Sequence, residues 1–95
     1  MFGRWQQRKV TITHPGGLHA RPALAVAQTV RRFQSRVEIG NGRETVDAGE
    51  VLQLLTLGAA CGAHLTIAAR GPDAEQALDA LEHLFADNFG MGNEP

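Results

Sequence analysis

Pro22 constrains this chain more than any other residue. A proline has no amide hydrogen and its ring collides with the preceding turn, so a helix admits it only in its first turn. Behind it, Ala23, Leu24, Ala27 and Val30 recur at helical spacing, the signature of an apolar stripe. The helix must therefore begin close to Ala20, and the spacing predicts that it runs to Arg32. Arg31 and Arg32 fall in its last turn, where cations oppose the negative end of the helix dipole. Ahead of it, Val10-Thr11-Ile12-Thr13 alternates apolar and polar residues and reads as a half-buried strand, broken by His14-Pro15-Gly16-Gly17.

The same reading continues along the chain. Arg36-Val37-Glu38-Ile39 alternates again, and Asn41-Gly42 is a strong hairpin signal. Arg43-Glu44-Thr45-Val46 is the expected returning strand. Asp47-Ala48-Gly49-Glu50 reads as a capping box for a short helix over Val51–Thr56 that ends near Gly58. A last strand is expected over Ala63–Ala68. A final helix follows Gly71-Pro72-Asp73, with Asp73 as its cap and Ala77, Leu78, Leu81, Leu84 and Phe85 on one face. The order strand, helix, strand, strand, helix, strand, helix with an antiparallel hairpin predicts an α+β fold: a four-stranded antiparallel sheet with helices on one face.

Ninety-five residues form one small domain. A net charge of −1 and the absence of tyrosine argue against a nucleic-acid surface. No apolar run reaches the length of a membrane span, and the N-terminal residues lack the apolar core of a signal peptide. A lone cysteine, Cys61, has no partner for an internal disulfide and no metal-spaced neighbour; it reads as a small buried or turn residue, in keeping with a cytoplasmic location.

The chemistry concentrates in Gly17-Leu18-His19-Ala20-Arg21-Pro22. A phosphoryl carrier needs a nucleophile that is neutral near pH 7, which histidine supplies. It also needs donors for the phosphate oxygens. A helix N-terminus offers unpaired amides and a positive dipole end, here those of Ala20 and Arg21 with His19 at the cap. The Arg21 guanidinium adds a charge that pairs with phosphate, and Gly17 keeps the approach open. The other histidines read otherwise: His14 as a cap or surface residue, His64 and His83 as solvent-facing. The four show no metal-binding spacing, and neither a metal nor a cofactor is expected.

Gly17-Leu18-His19-Ala20-Arg21-Pro22-Ala23 resembles the active-site signature of the HPr family, the histidine phosphocarriers of the bacterial phosphoenolpyruvate-dependent sugar phosphotransferase system. Leu54-Leu55-Thr56-Leu57-Gly58, Gly62 and Leu65-Thr66-Ile67 are similar to the family's second helix and last strand, so the resemblance covers roughly residues 8–89. Residues 1–7 would be an extension and residues 90–95 a flexible tail. The resemblance implies an open-faced sandwich. It further implies that phosphorylated enzyme I donates a phosphoryl group to Nδ1 of His19, that Arg21 stabilises it, and that sugar-specific IIA domains accept it. The chain would be a stoichiometric carrier, not an enzyme with its own turnover. Its partners would dock on Ala20, Leu24, Gln28 and Arg31 of the first helix and on Val51, Leu52 and Leu55 of the second. A monomer is expected, because docking needs that face uncovered.

Three departures from the family pattern matter. Glu50 stands where many relatives carry a regulatory serine; it is not phosphorylatable on oxygen, and it reads as part of the capping box. Gln28 and Gln53 stand where lysines are common, which weakens steering toward acidic partners. Phe89 and the glycine-rich tail stand where short family members end. The alternative within the family is a regulatory HPr-like protein, nitrogen-related or part of a multiphosphoryl transfer protein, that acts mainly by binding. A self-sufficient enzyme is disfavoured by the lack of a second base beside His19 and of any cofactor loop.

Overall fold

The computed structural model describes residues 3–91. Its elements are β1 (Gln6–Thr11), α1 (Ala20–Val30), β2 (Arg36–Gly40), β3 (Thr45–Asp47), α2 (Val51–Thr56), β4 (His64–Arg70), α3 (Ala74–Ala86) and a terminal 3-10 turn (Asn88–Gly90). The four strands form one antiparallel sheet in the order β1-β4-β2-β3.

Period-2 alternation decides which sheet face is covered. Val10, Val37, Ile39, Val46, Leu65, Ile67 and Ala69 all turn toward the helices and are buried. Register brings Ile39 opposite Ile67 and Val46, so their side chains meet on that face. The helices close the other side of the core with Val26 and Val30 from α1, Leu54 from α2, and Leu78, Leu81 and Phe85 from α3. The opposite sheet face stays open. There Trp5, half-buried, shares a shallow depression with Gln7, Glu38, Thr66 and Ala68.

Several local expectations are corrected. β1 begins at Gln6, four residues before the alternating segment, because an edge strand with one open face accepts the polar run Gln6–Lys9, which pairs with Thr66–Ala69. The regular ladder stops at Thr11, although Ile12 still exchanges backbone hydrogen bonds with Ala63 (3.0 Å) and Gly62 (2.7 Å). α1 ends at Val30, with Arg31 as its C-cap. Its buried stripe is Pro22, Ala23, Val26, Ala27 and Val30; Leu24 is off it and 47% exposed. In the hairpin, Asn41 precedes the tip, its amide donating to Glu44 O (3.1 Å) and its side-chain oxygen accepting from the amides of Arg43 and Glu44.

The capping box before α2 does not form. Asp47 ends β3, and its carboxylate accepts the Gly49 amide at 2.8 Å. Glu50 is the N-cap residue, with extended backbone and no side-chain capping bond. Gln53 reaches back instead to accept the Asp47 amide (3.0 Å). Asp73 does occupy the N-cap of α3, but its carboxylate leaves the helix to accept the Ser35 amide (2.9 Å), the Ser35 hydroxyl (2.5 Å) and the Gln34 amide (3.0 Å). That ties the start of α3 to the loop entering β2. The Ser35 hydroxyl, and then the Gln34 amide, hold the Asp73 carboxyl below its usual range. The other end of α3 is tied to β1, where Arg8 pairs with Asp79 and with Glu82 (2.5 Å). Of the expected tail, Gly90 ends the 3-10 turn and Met91 is its C-cap, while residues 92–95 lie outside the described residues, as do residues 1–2 of the expected N-terminal extension.

Candidate phosphoryl-carrier site

The loop between β1 and α1 is built on a turn. The Gly17 amide donates to His14 O at 3.0 Å, and the Leu18 amide donates to Ala59 O at 2.8 Å. Gly17 has φ +69°, and a Cβ there would stand 2.5 Å from Ala59 O, so both the backbone angle and the close approach demand glycine. Leu18 is buried and anchors the loop in the core. Gly17 is buried as well, so it shapes the loop from beneath.

His19 is the N-cap of α1, with extended backbone (φ −92°, ψ −164°) and no side-chain capping bond. Its own carbonyl accepts the first helical bond, from the Ala23 amide at 2.9 Å. Pro22 has no amide to offer, so the free donors at this helix end are the amides of Ala20 and Arg21. No acidic residue stands in the first turn to neutralise the dipole. Arg21 is exposed and forms no ion pair among the described residues. The first turn of α1 thus carries two free amides and, on an exposed side chain, one cation without an ion pair among the described residues.

The His19 ring is held by its Nε2 edge. Nε2 is buried without a hydrogen-bond partner among the described residues. A Cβ on Gly16 would lie 2.7 Å from Nε2 and 2.8 Å from Cδ2, so that edge rests directly on the Gly16 backbone. Nδ1 is not among the buried ring nitrogens that lack a partner. A neutral ring with its proton on Nε2 then presents the Nδ1 lone pair beside the helix N-terminus.

His14 is not the surface residue that the sequence suggested. It is fully buried. Its Nδ1 accepts the Gly16 amide at 3.1 Å, and its Nε2 is buried without a partner. Its ring centroid lies 5.6 Å from that of His19 and 6.1 Å, edge-on, from that of Phe89, which in turn packs on Phe85 at 4.9 Å. The signal was present in the chain: extending the alternation Val10, Ile12 by one step puts His14 on the buried face. His64 and His83 are exposed, as expected, and His64 Nδ1 lies 3.0 Å from the Thr11 hydroxyl. Cys61 sits in a turn but is exposed, not buried.

Around His19, a shallow groove is lined by Gly16, Leu18, Leu55, Gly58 and Ala59. Among the described residues the exposed large hydrophobics are Leu24, Leu52 and Leu55, all on α1 and α2. Ala20 and Gln28 on α1 and Arg31 at its C-cap are exposed, and Val51 is half-buried on α2. The Arg31 guanidinium bridges the helices: Nε donates to Gly49 O at 2.9 Å, and its outer nitrogen lies 4.0 Å from the Glu50 carboxylate. Among the described residues no cluster of three metal-ligating side chains occurs, and no helix is long and apolar enough to cross a membrane.

Comparison with known proteins gives the family. The family described as "PTS HPr component phosphorylation site" matches residues 6–87. The chain belongs to the HPr family. It is 37% identical over 86 residues to the phosphocarrier protein HPr of Cupriavidus necator, covering 90% of this chain and 97% of that one. It is 40% identical over 86 residues to the phosphocarrier protein NPr of Proteus mirabilis, covering 88% and 94%. The structure of HPr from Thermoanaerobacter tengcongensis superposes with a TM-score of 0.86 at 32% identity, covering 90% of this chain and 96% of that chain. The HPr assignment makes the protein a phosphocarrier of the phosphotransferase system, a carrier and not a catalyst in itself.

Proposed function

We propose that His19 carries the phosphoryl group on Nδ1, receiving it from phosphorylated enzyme I and passing it to IIA domains. The single observation that carries this reading is the asymmetry of the His19 ring at the N-cap of α1: Nε2 is buried against Gly16 without a partner among the described residues, whereas Nδ1 is not among the buried nitrogens that lack one. On arrival, the Nδ1 lone pair forms the N–P bond as the donor's bond to phosphorus breaks. The amides of Ala20 and Arg21 and the Arg21 guanidinium take the phosphate oxygens, with the developing charge stabilised by groups already in place. Gly17 shapes the cradle. No base is required, because the attacking nitrogen bears no proton.

Partners would cover the face formed by Ala20, Leu24, Gln28, Arg31, Val51, Leu52 and Leu55. The three exposed leucines give it an apolar centre beside the groove at His19, a composition suited to a brief encounter. The carrier acts as a monomer in this reading, because both partners need the same face. Glu50 is not phosphorylatable, and its carboxylate near Arg31 keeps a fixed negative charge at the start of α2. Transfer of phosphate from phosphoenolpyruvate through enzyme I, with His19→Ala and Arg21→Ala as comparisons, tests the assignment. Loss of label with the first and slow transfer with the second are expected; full labelling of His19→Ala would refute it.

A further inference from the structure

The geometry points to His14 as a positioning residue for phosphotransfer: through its hydrogen bond to the Gly16 amide it holds the surface on which the His19 ring rests. The inference rests on the assignment of His19 as the carrier residue. Three observations converge. His14 is fully buried, yet among the described residues one of its ring nitrogens has no partner. A buried orphan of this kind opposes folding, so stability alone gives no reason for a histidine here. Its other nitrogen accepts from Gly16 (3.1 Å), the residue whose α-carbon supports His19 Nε2 and Cδ2. The ring itself is wedged between His19 and Phe89.

The Phe89 side of that wedge is secured independently. Phe89 is buried with φ +59°, a left-handed conformation that a bulky residue adopts only when its surroundings compel it. It is clamped by Phe85 and by the neighbouring Asn88, whose side-chain oxygen accepts the Thr13 hydroxyl at 2.5 Å. The line Phe85, Phe89, His14, Gly16, His19 therefore connects the end of α3 to the reacting ring. Because His14 Nδ1 accepts a hydrogen bond, its neutral ring bears the proton on Nε2.

Two variants separate the acceptor from the packing. His14→Phe keeps an aromatic ring but removes the acceptor. His14→Asn gives up the ring but keeps an acceptor for an amide two residues on, as in an Asx turn. Enzyme I turnover, with this carrier as the varied substrate, is measured for each. The ring ¹⁵N shifts of His19 are recorded on the same samples. For His14→Phe we expect kcat to fall about tenfold with KM unchanged, the order that displacement of a reacting group by a fraction of an ångström produces. We also expect altered His19 ring shifts. His14→Asn should recover most of the rate and the wild-type shifts. A wild-type rate and unchanged ring shifts in His14→Phe would overturn the inference, as would equal losses in both variants. If wild type itself took no label on His19, the carrier assignment would fail, and the ring shifts alone would still decide whether His14 sets the His19 ring.

Discussion

Replacing Gly16 by alanine tests how the ring of His19, the proposed carrier residue, is seated. The added methyl would stand 2.7 Å from His19 Nε2, so the ring must retreat by about 0.7 Å to reach ordinary van der Waals contact. The backbone does not oppose the change, since Gly16 is not among the positive-φ glycines. Alanine at such a position reduces the freedom of the unfolded chain, worth about 0.4–1 kcal/mol in favour of folding, which offsets the cost of moving one side chain. The melting temperature should therefore stay within about 5 °C of wild type. Transfer is expected to suffer more. Misplacing a reacting group by about 1 Å costs on the order of 100-fold, so a smaller displacement should slow phosphorylation by roughly tenfold to 100-fold. Quench-flow measurement of transfer from phosphorylated enzyme I, at saturating and limiting carrier, separates this from a docking defect. A loss in the rate constant with unchanged KM and melting temperature is the expected result. A wild-type rate would show that the Nε2 edge does not rest on Gly16 and would remove the basis for assigning Nδ1.

Other perturbations bear on other parts of the account. Leu52 is 79% exposed on α2, so Leu52→Asp should leave the melting temperature unchanged while raising KM for enzyme I about tenfold, the effect of roughly 1.4 kcal/mol at an interface; steady-state kinetics would show it. Leu78 is fully buried at the centre of α3, and Leu78→Ala should cost about 2–5 kcal/mol by urea denaturation. Because hydrogen bonds from Ser35 and Gln34 hold the Asp73 carboxyl below its usual range, that group stabilises the fold above its unfolded pKa, and the contribution is lost as pH falls through the lower folded value. The gap in stability between wild type and Asp73→Asn should therefore close as pH is lowered from 5 toward 2, and a gap that stays constant would contradict the assigned cause.

Much of the fold was legible because binary patterning and turn chemistry agree. Pro22 with the alanine-rich stripe placed the start of α1, and Val51–Thr56 matched α2 from end to end. The first half of β1 was not legible, because an edge strand with one open face tolerates Gln6–Lys9 without apolar alternation. The Asp47–Glu50 capping box failed for a different reason: Asp47 was already committed to β3, so its carboxylate could serve only the amide two residues on. Leu24 was assigned to the buried stripe on spacing alone, yet the stripe runs through Pro22, Ala23, Val26, Ala27 and Val30 and leaves Leu24 outside it, and its exposure suits the docking face that the family resemblance implied. The local frame of the candidate site was readable from His19 to Pro22: His19 is the N-cap and Pro22 lies in the first turn of α1. The support beneath it was not. His14 gains its aromatic contact from Phe89, a whole domain away in sequence and next to the Asn88 that bonds Thr13, and only the fold brings them together.

The most direct test of the central claim follows ³²P from phosphoenolpyruvate through enzyme I onto wild type and His19→Ala. The account predicts an acid-labile, base-stable label on wild type, mapped to Nδ1 of His19 by ³¹P and ¹⁵N NMR, and none on the variant. Label that persists in His19→Ala, or that maps to Nε2, would contradict it.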